Sequence, residues 1–160
     1  MPLDGTKNEI RLLRILPNPT MNEGIQCSLS IASLDDNPRY QALSYAWDDR
    51  ATPQEIFLDG QPFPVTKNLE DALWCLQSRS RSKVFWIDAI CINQNDNLER
   101  NHQVGRMRTI YKQAKDVVVW LGRSTHSTKI SFSLFEALCK RRYSKQRFAR
   151  RLRNIKYVTL

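Results

Sequence analysis

Residues 84–121 read VFWIDAICINQNDNLERNHQVGRMRTIYKQAKDVVVWL, and the order of elements in this stretch decides the fold. Residues 84–88 (VFWID) form a short apolar run that ends in an acid, the pattern of a buried strand. Asp96 followed by Glu99 is a capping box, which places a helix start at this point. The helix it opens carries Val104, Met107, Ile110, Tyr111 and Ala114 on one face. Residues 116–121 (DVVVWL) are a second apolar strand, stopped by Gly122. Two apolar strands joined through one helix are expected to pair in parallel by a right-handed crossover. The fold class follows as α/β, a mixed sheet with a parallel β-α-β core.

Working outward, the N-terminal residues supply further strands. Residues 10–16 read as a strand closed by Pro17-Asn-Pro, and residues 25–31 alternate, with Ile25, Cys27, Leu29 and Ile31 on one side. Residues 40–47 are a strand candidate after Asn37-Pro38. Residues 55–58 and 61–65 flank Asp59-Gly60, a hairpin signal because both central positions of the tight turn need positive φ. Pro62 and Pro64 lack an N–H and confine the second arm to a sheet edge. Asn68, with Asp71 three residues on, is expected to cap a helix whose apolar stripe is Leu69, Ala72, Leu73 and Leu76. A last helix is expected over residues 131–142, with Phe132, Phe135, Leu138 and Cys139 inward. The N-terminal strands therefore form an antiparallel portion beside the parallel core.

A chain of 160 residues with 41% hydrophobic and 26% charged residues falls in the globular, single-domain class. No apolar run reaches the roughly 18 residues of a membrane-spanning helix. The start, Met1-Pro-Leu-Asp, has no charged leader followed by an apolar stretch, so a cytoplasmic protein is expected. Cys27, Cys75, Cys91 and Cys139 lie far apart, and with only His102 and His126 beside them no zinc-type cluster can be read. Buried thiols are the expectation. The net charge of +9 is uneven: residues 1–139 hold 16 Lys+Arg against 16 Asp+Glu, while residues 140–160 hold 9 Lys+Arg and no acid. The chain thus divides into a domain over 1–139 and a basic segment over 140–160. That segment is a solvated or unpartnered face, or a contact for nucleic acid or anionic lipid.

In open α/β sheets, ligands gather beyond the carboxyl ends of the parallel strands. That edge would carry Asp88, Cys91, Asn93, Gln94 and Asp96 after the first strand, and Arg123 and Ser124 after the second. If the strand ending at Trp47 joins in the same direction, Tyr45, Trp47, Asp48 and Asp49 are added. This rim suits a small hydrogen-bonding ligand. Each residue also has a structural reading: Asp88 as acceptor for loop amides, Asn93 and Gln94 as clasps of the loop, Glu99 as half of the capping box, and the tryptophans as packing. The glycine-rich cradles for dinucleotides and phosphates are absent, as is a G-x-S-x-G elbow. Neither histidine has a context that would make it the base for Cys91. Glu136, among Phe135, Ala137 and Leu138, reads as a helix-edge residue.

Two blocks carry a family resemblance. Residues 40–47 (YQALSYAW) are similar to the Y-x-A-L-S-Y-x-W-G opening block of fungal heterokaryon-incompatibility (HET) domains. Residues 86–94 (WIDAICINQ) with Asp96, Glu99 and Arg100 resemble the family's W-I-D-x-x-C-I-N-Q-x-D-x-x-E-R. Gln103, Val104, Met107, Ile110, Tyr111, Ala114 and the VVVWLG of 117–122 complete the second block; residues 10–17 and 65–69 are similar too, so the likeness covers residues 10–122. Asp48 stands where the family has Gly, and no W-x-x-Q-E third block follows Gly122. The chain is thus expected to be the front portion of such a domain, whether a fragment, a truncated gene or a degenerate paralogue. The resemblance implies an effector of cell death in fungal non-self recognition, working by self-association or contact with protein partners. It also implies a TIR-like or flavodoxin-like outline, and through TIR domains the alternative of NAD hydrolysis. No cofactor is expected, NAD entering only as substrate of that alternative. The catalytic glutamate would belong to the missing third block, which turns the expectation away from catalysis.

Overall fold

The computed structural model describes residues 2–47, 53–123 and 155–158. The helix expected over 131–142, the basic residues 140–154, and Asp48, Asp49, Ser124, His126, Glu136 and Cys139 lie outside them. In chain order the elements are β1 (Glu9–Ile15), β2 (Gln26–Ser33), a 3-10 turn (Leu34–Asp36), β3 (Gln41–Ser44), β4 (Gln54–Leu58), β5 (Gln61–Val65), α1 (Lys67–Leu76), β6 (Lys83–Trp86), α2 (Asp88–Cys91), α3 (Asn97–Gln113), β7 (Asp116–Trp120) and β8 (Ile155–Val158). Eight strands form one sheet in the order β5-β4-β2-β1-β6-β3-β7-β8. No helix among the described residues is long and apolar enough to cross a membrane.

The sheet is mixed. β1 runs antiparallel to both β2 and β6, and β4 antiparallel to β5. β3 runs parallel to β6 and to β7, β7 parallel to β8, and β2 parallel to β4. One expectation is corrected here. The apolar strands β6 and β7 share a direction but do not pair, because β3 lies between them, with Gln41 opposite Phe85 on one side and Asp116 on the other. Buried on both edges and faces, β3 gains its hydrogen bonds from two later strands, and Ala42 and Leu43 are 0% and 1% exposed. The hairpin β4–β5 turns at Asp59 (φ 51°) and Gly60 (φ 77°), both left-handed as the Asp-Gly pair requires. β5, with its two prolines, lies at one edge of the sheet.

The core unites Leu13 and Ile15 of β1, Leu43 of β3, Phe85 and Trp86 of β6, Leu69 and Leu73 of α1, and Ile110 of α3. Burying each such side chain stabilises the fold by roughly 1.5–3 kcal/mol. Cys27 and Cys91 are buried free thiols and Cys75 is half-buried; burial pushes the Cys27 thiol up to about 12.

Two helix expectations change. α1 is capped by Thr66, whose Oγ1 accepts the Leu69 N–H at 3.3 Å, and Asn68 serves elsewhere. In α3 the inward face is Gln103, Met107, Ile110 and Tyr111, continued by Ala114 at the C-cap, and Val104 points outward at 51% exposure. Helical phase outranks hydrophobicity at this turn, because Gln103 donates through Nε2 to the Glu9 carbonyl at 3.0 Å, satisfying the open start of β1. The end of α3 is fixed to β3 by two tyrosines. Tyr40 donates its hydroxyl to the Ile110 carbonyl at 2.7 Å, and Tyr111 donates to the Leu43 carbonyl at 3.0 Å.

Candidate functional site

Because β3, β6 and β7 are parallel, their carboxyl ends open on one edge of the sheet. Two clefts flank the end of β3 there. One, of about 350 Å³, lies toward β7 between Ser44, Tyr45, Asn68 and Trp120. The other, about 270 Å³, lies toward β6; Tyr45, Trp47 and Phe63 supply its aromatic surface, and Val65, Leu69 and Ile90 the aliphatic part. Thr66, Gln94 and Asn95 add its polar groups.

Each residue named from the sequence has a definite place. Tyr45 and Trp47 line the cleft on the β6 side, Tyr45 also lining the other. Trp47 is 49% exposed, and its side chain hydrogen-bonds the Asp88 carboxylate. Asp88 does not end a strand; it opens α2, one residue past the turn out of β6, and its Oδ1 accepts the Ala89 N–H at 2.8 Å. Burial raises its carboxyl above the ordinary 3.8, with these hydrogen bonds opposing. Gln94 lines the cleft and donates through Nε2 to the Asp88 carbonyl at 3.0 Å, fastening the loop to α2. Cys91 does not reach the cleft: its Sγ accepts the Ile87 N–H at 3.4 Å, and burial holds the thiol up at about 12. A thiol so placed is a packing group rather than a nucleophile. Asn93 is exposed and accepts the Asn95 N–H through Oδ1 at 3.2 Å, a local turn. Asp96 caps α3 by accepting from Leu98 and Glu99 N–H at 2.9 and 3.1 Å.

Glu99 departs from the capping box. Its carboxylate takes both Nη atoms of Arg11, at 2.5 and 2.8 Å, and the Asn93 N–H at 2.7 Å. Arg11 donates further to the Cys91 carbonyl at 3.1 Å. The motif of residues 86–100 is therefore a brace: capping Asp96, Glu99 with Arg11, and Gln94 with α2 fix the loop that borders the cleft.

Sequence reasoning missed one wall, contributed by Phe63, Pro64 and Val65 of β5 and by Thr66. β5 lies at the far end of the sheet order, and nothing local in its sequence signals that it borders the end of β6. It also missed the role of Asn68. Its Nδ2 donates to the Ala46 carbonyl and its Oδ1 accepts the Trp120 indole N–H, both at 2.7 Å, which ties α1 across the ends of β3 and β7. Arg123, just beyond β7, holds Asp71 of α1 through two 2.8 Å bonds.

Comparison with known proteins places this geometry in a family. The profile of the family described as "Heterokaryon incompatibility protein (HET)" matches residues 40–157, running on into the basic segment that includes β8. The "Heterokaryon incompatibility protein 6, OR allele" of Neurospora crassa is 37% identical over 133 residues, 75% of this chain and 20% of the relative. This chain thus spans about a fifth of that relative's length. No solved structure matches.

Proposed function

The chain belongs to the heterokaryon incompatibility (HET) family, and from that premise we propose that it is an effector module of fungal non-self recognition. It acts in the cytoplasm, promoting cell death through self-association or contact with a protein partner. The match over residues 40–157 carries this reading, together with the name of the Neurospora relative. Leu98 at 83% and Val104 at 51% exposure stand out from α3 and are the positions at which a partner docking on this helix is tested. Expression in fungal hyphae under an inducible promoter tests the proposal. Growth arrest is expected, and Leu98→Glu with Val104→Glu is expected to relieve it and to remove any concentration-dependent rise in mass by light scattering. Normal growth at confirmed expression would count against an effector role.

A second reading, NAD hydrolysis of the TIR type, is favoured by one observation. Counted in order of appearance, the parallel strands β3, β6, β7 and β8 lie 2-1-3-4 across the sheet, the arrangement of a flavodoxin-like core, whose ligands bind where the order reverses. The cleft between the ends of β3 and β7 occupies that position. NAD consumption by purified protein, beside Asp88→Ala and Glu136→Ala, separates the two. Turnover lost in either variant supports the enzyme; no turnover from folded protein supports the association module.

A further inference from the structure

Residues 78–83, the stretch that joins α1 to β6, read Ser-Arg-Ser-Arg-Ser-Lys. Both ends are anchored. The Asn18 N–H donates to the Ser78 carbonyl at 3.0 Å, and Lys83 opens β6 opposite Ile15 of β1. Between the anchors, residues 79–82 belong to neither helix nor strand, and all four are exposed. Ser82 has Arg79 three residues before it and Arg81 immediately before it. Basophilic serine/threonine kinases choose such a hydroxyl, because carboxylates in their substrate groove pair with the arginines ahead of it.

An arginine three residues ahead of a serine or threonine occurs twice more, at Thr109 after Arg106 and at Ser144 after Arg141. Ser144 lies outside the described residues. Thr109 is exposed but sits within α3, four residues from its end. A kinase takes its substrate as an extended segment, so Thr109 could be reached only by unwinding the helix around it. The fold thus separates two nearly identical sequences: Arg79-Ser-Arg-Ser82 is open, and Arg106-Met-Arg-Thr109 is closed.

The surroundings of Ser82 also suit the product. Arg14 lies opposite Val84 in the β1–β6 pair, so Ser82, two residues before Val84, takes the diagonal position. Arg14 donates through Nη1 to Ser82 Oγ at 3.3 Å. Among the described residues no carboxylate forms an ion pair with Arg14. A phosphate on this hydroxyl would replace one long bond to a neutral oxygen with a charge-assisted one, joining the start of β6 to β1.

We infer that Ser82 is a phosphorylation site for a basophilic serine/threonine kinase, its phosphate held by Arg14. The γ-phosphoryl group of ATP passes to Ser82 Oγ. The bond from the γ-phosphorus to the bridging oxygen breaks, the bond to Oγ forms, the hydroxyl proton goes to a base of the kinase, and ADP leaves.

The 160-residue chain carrying Ser144→Ala, incubated with ATP and the catalytic subunit of cyclic-AMP-dependent protein kinase, tests the inference by mass-spectrometric mapping. Phosphate is expected at Ser82, about tenfold or more faster than at Thr109, and Ser82→Ala is expected to abolish it. The phosphorylated protein is expected to melt about 3 °C above the unmodified one. Arg14→Gln, at an exposed position, should still be phosphorylated but lose that rise. The chain recovered from fungal hyphae with phosphatases inhibited is expected to carry phosphoserine at the same position. No phosphate at Ser82 of the folded protein, or equal rates at Ser82 and Thr109, overturns the inference. So does an unchanged melting temperature, an equal rise in Arg14→Gln, or protein from hyphae without phosphate at Ser82. None of these readouts depends on growth arrest or on NAD turnover.

Discussion

Two carboxylates set the behaviour of the site at the residue scale, and they respond to pH with opposite signs. Glu99 is held below its ordinary 4.5, chiefly by hydrogen bonds from Arg11 and against the effect of burial. A depressed carboxyl contributes stability that is present above its unfolded value and lost as pH falls through the folded one. Glu99→Gln is expected to lower unfolding free energy by about 3 kcal/mol at pH 7, since the buried Arg11 guanidinium would lose the negative charge that offsets its own. Urea titrations at descending pH should show a flatter acid limb in the variant than in the parent. Asp88 behaves the other way. Its carboxyl is raised from 3.8 by burial, so its favourable contribution is complete below that value and lost as pH rises through the folded one. Asp88→Asn is therefore expected to stabilise the protein at pH 7, with the gain shrinking toward pH 4 in the same titrations.

At the scale of elements, local signals were read well and long-range ones poorly. The Asp-Gly turn, the Asp96 cap and the edge position of the proline-bearing β5 are local chemistry, and the structure carries all three. Replacing Asp96 by Ala should cost about 1 kcal/mol, because two N–H groups of α3 lose their acceptor; thermal melting and loss of amide protection in the first turn of α3 would register it. Glu99, by contrast, looked like half of a capping box, and its true partner lies 88 residues earlier in the chain. Asn68 has the local signature of a cap, yet its two bonds reach across the ends of β3 and β7. Nor did the apolar runs of β6 and β7 reveal that a third strand separates them, because periodicity reports burial and not neighbours. Of the cleft, Tyr45, Trp47 and Gln94 were legible from their place after strand ends. Phe63 and Thr66 were not, since a hairpin remote in the sheet order supplies them.

For the whole molecule, the two ends of the sheet differ in how they are protected. β5 is blunted by Pro62 and Pro64, whereas β7, a run of valines, is covered by β8 through the pairs from Val117–Ile155 to Trp120–Val158. A chain ending at Arg123 would leave β7 as an open apolar edge. It is expected to form soluble oligomers or precipitate at concentrations where the 160-residue chain stays monodisperse, as light scattering would record. The place of β3 has a consequence in time. Residues 41–44 leave the ribosome well before residues 83–86 and 116–120, the two strands that flank them in the finished sheet. During synthesis Ala42 has no strand to zip onto until Trp86 has emerged, and Leu43 none until Val118, so the nascent chain carries a sticky, unmated segment, open to aggregation, until the slot around β3 can close.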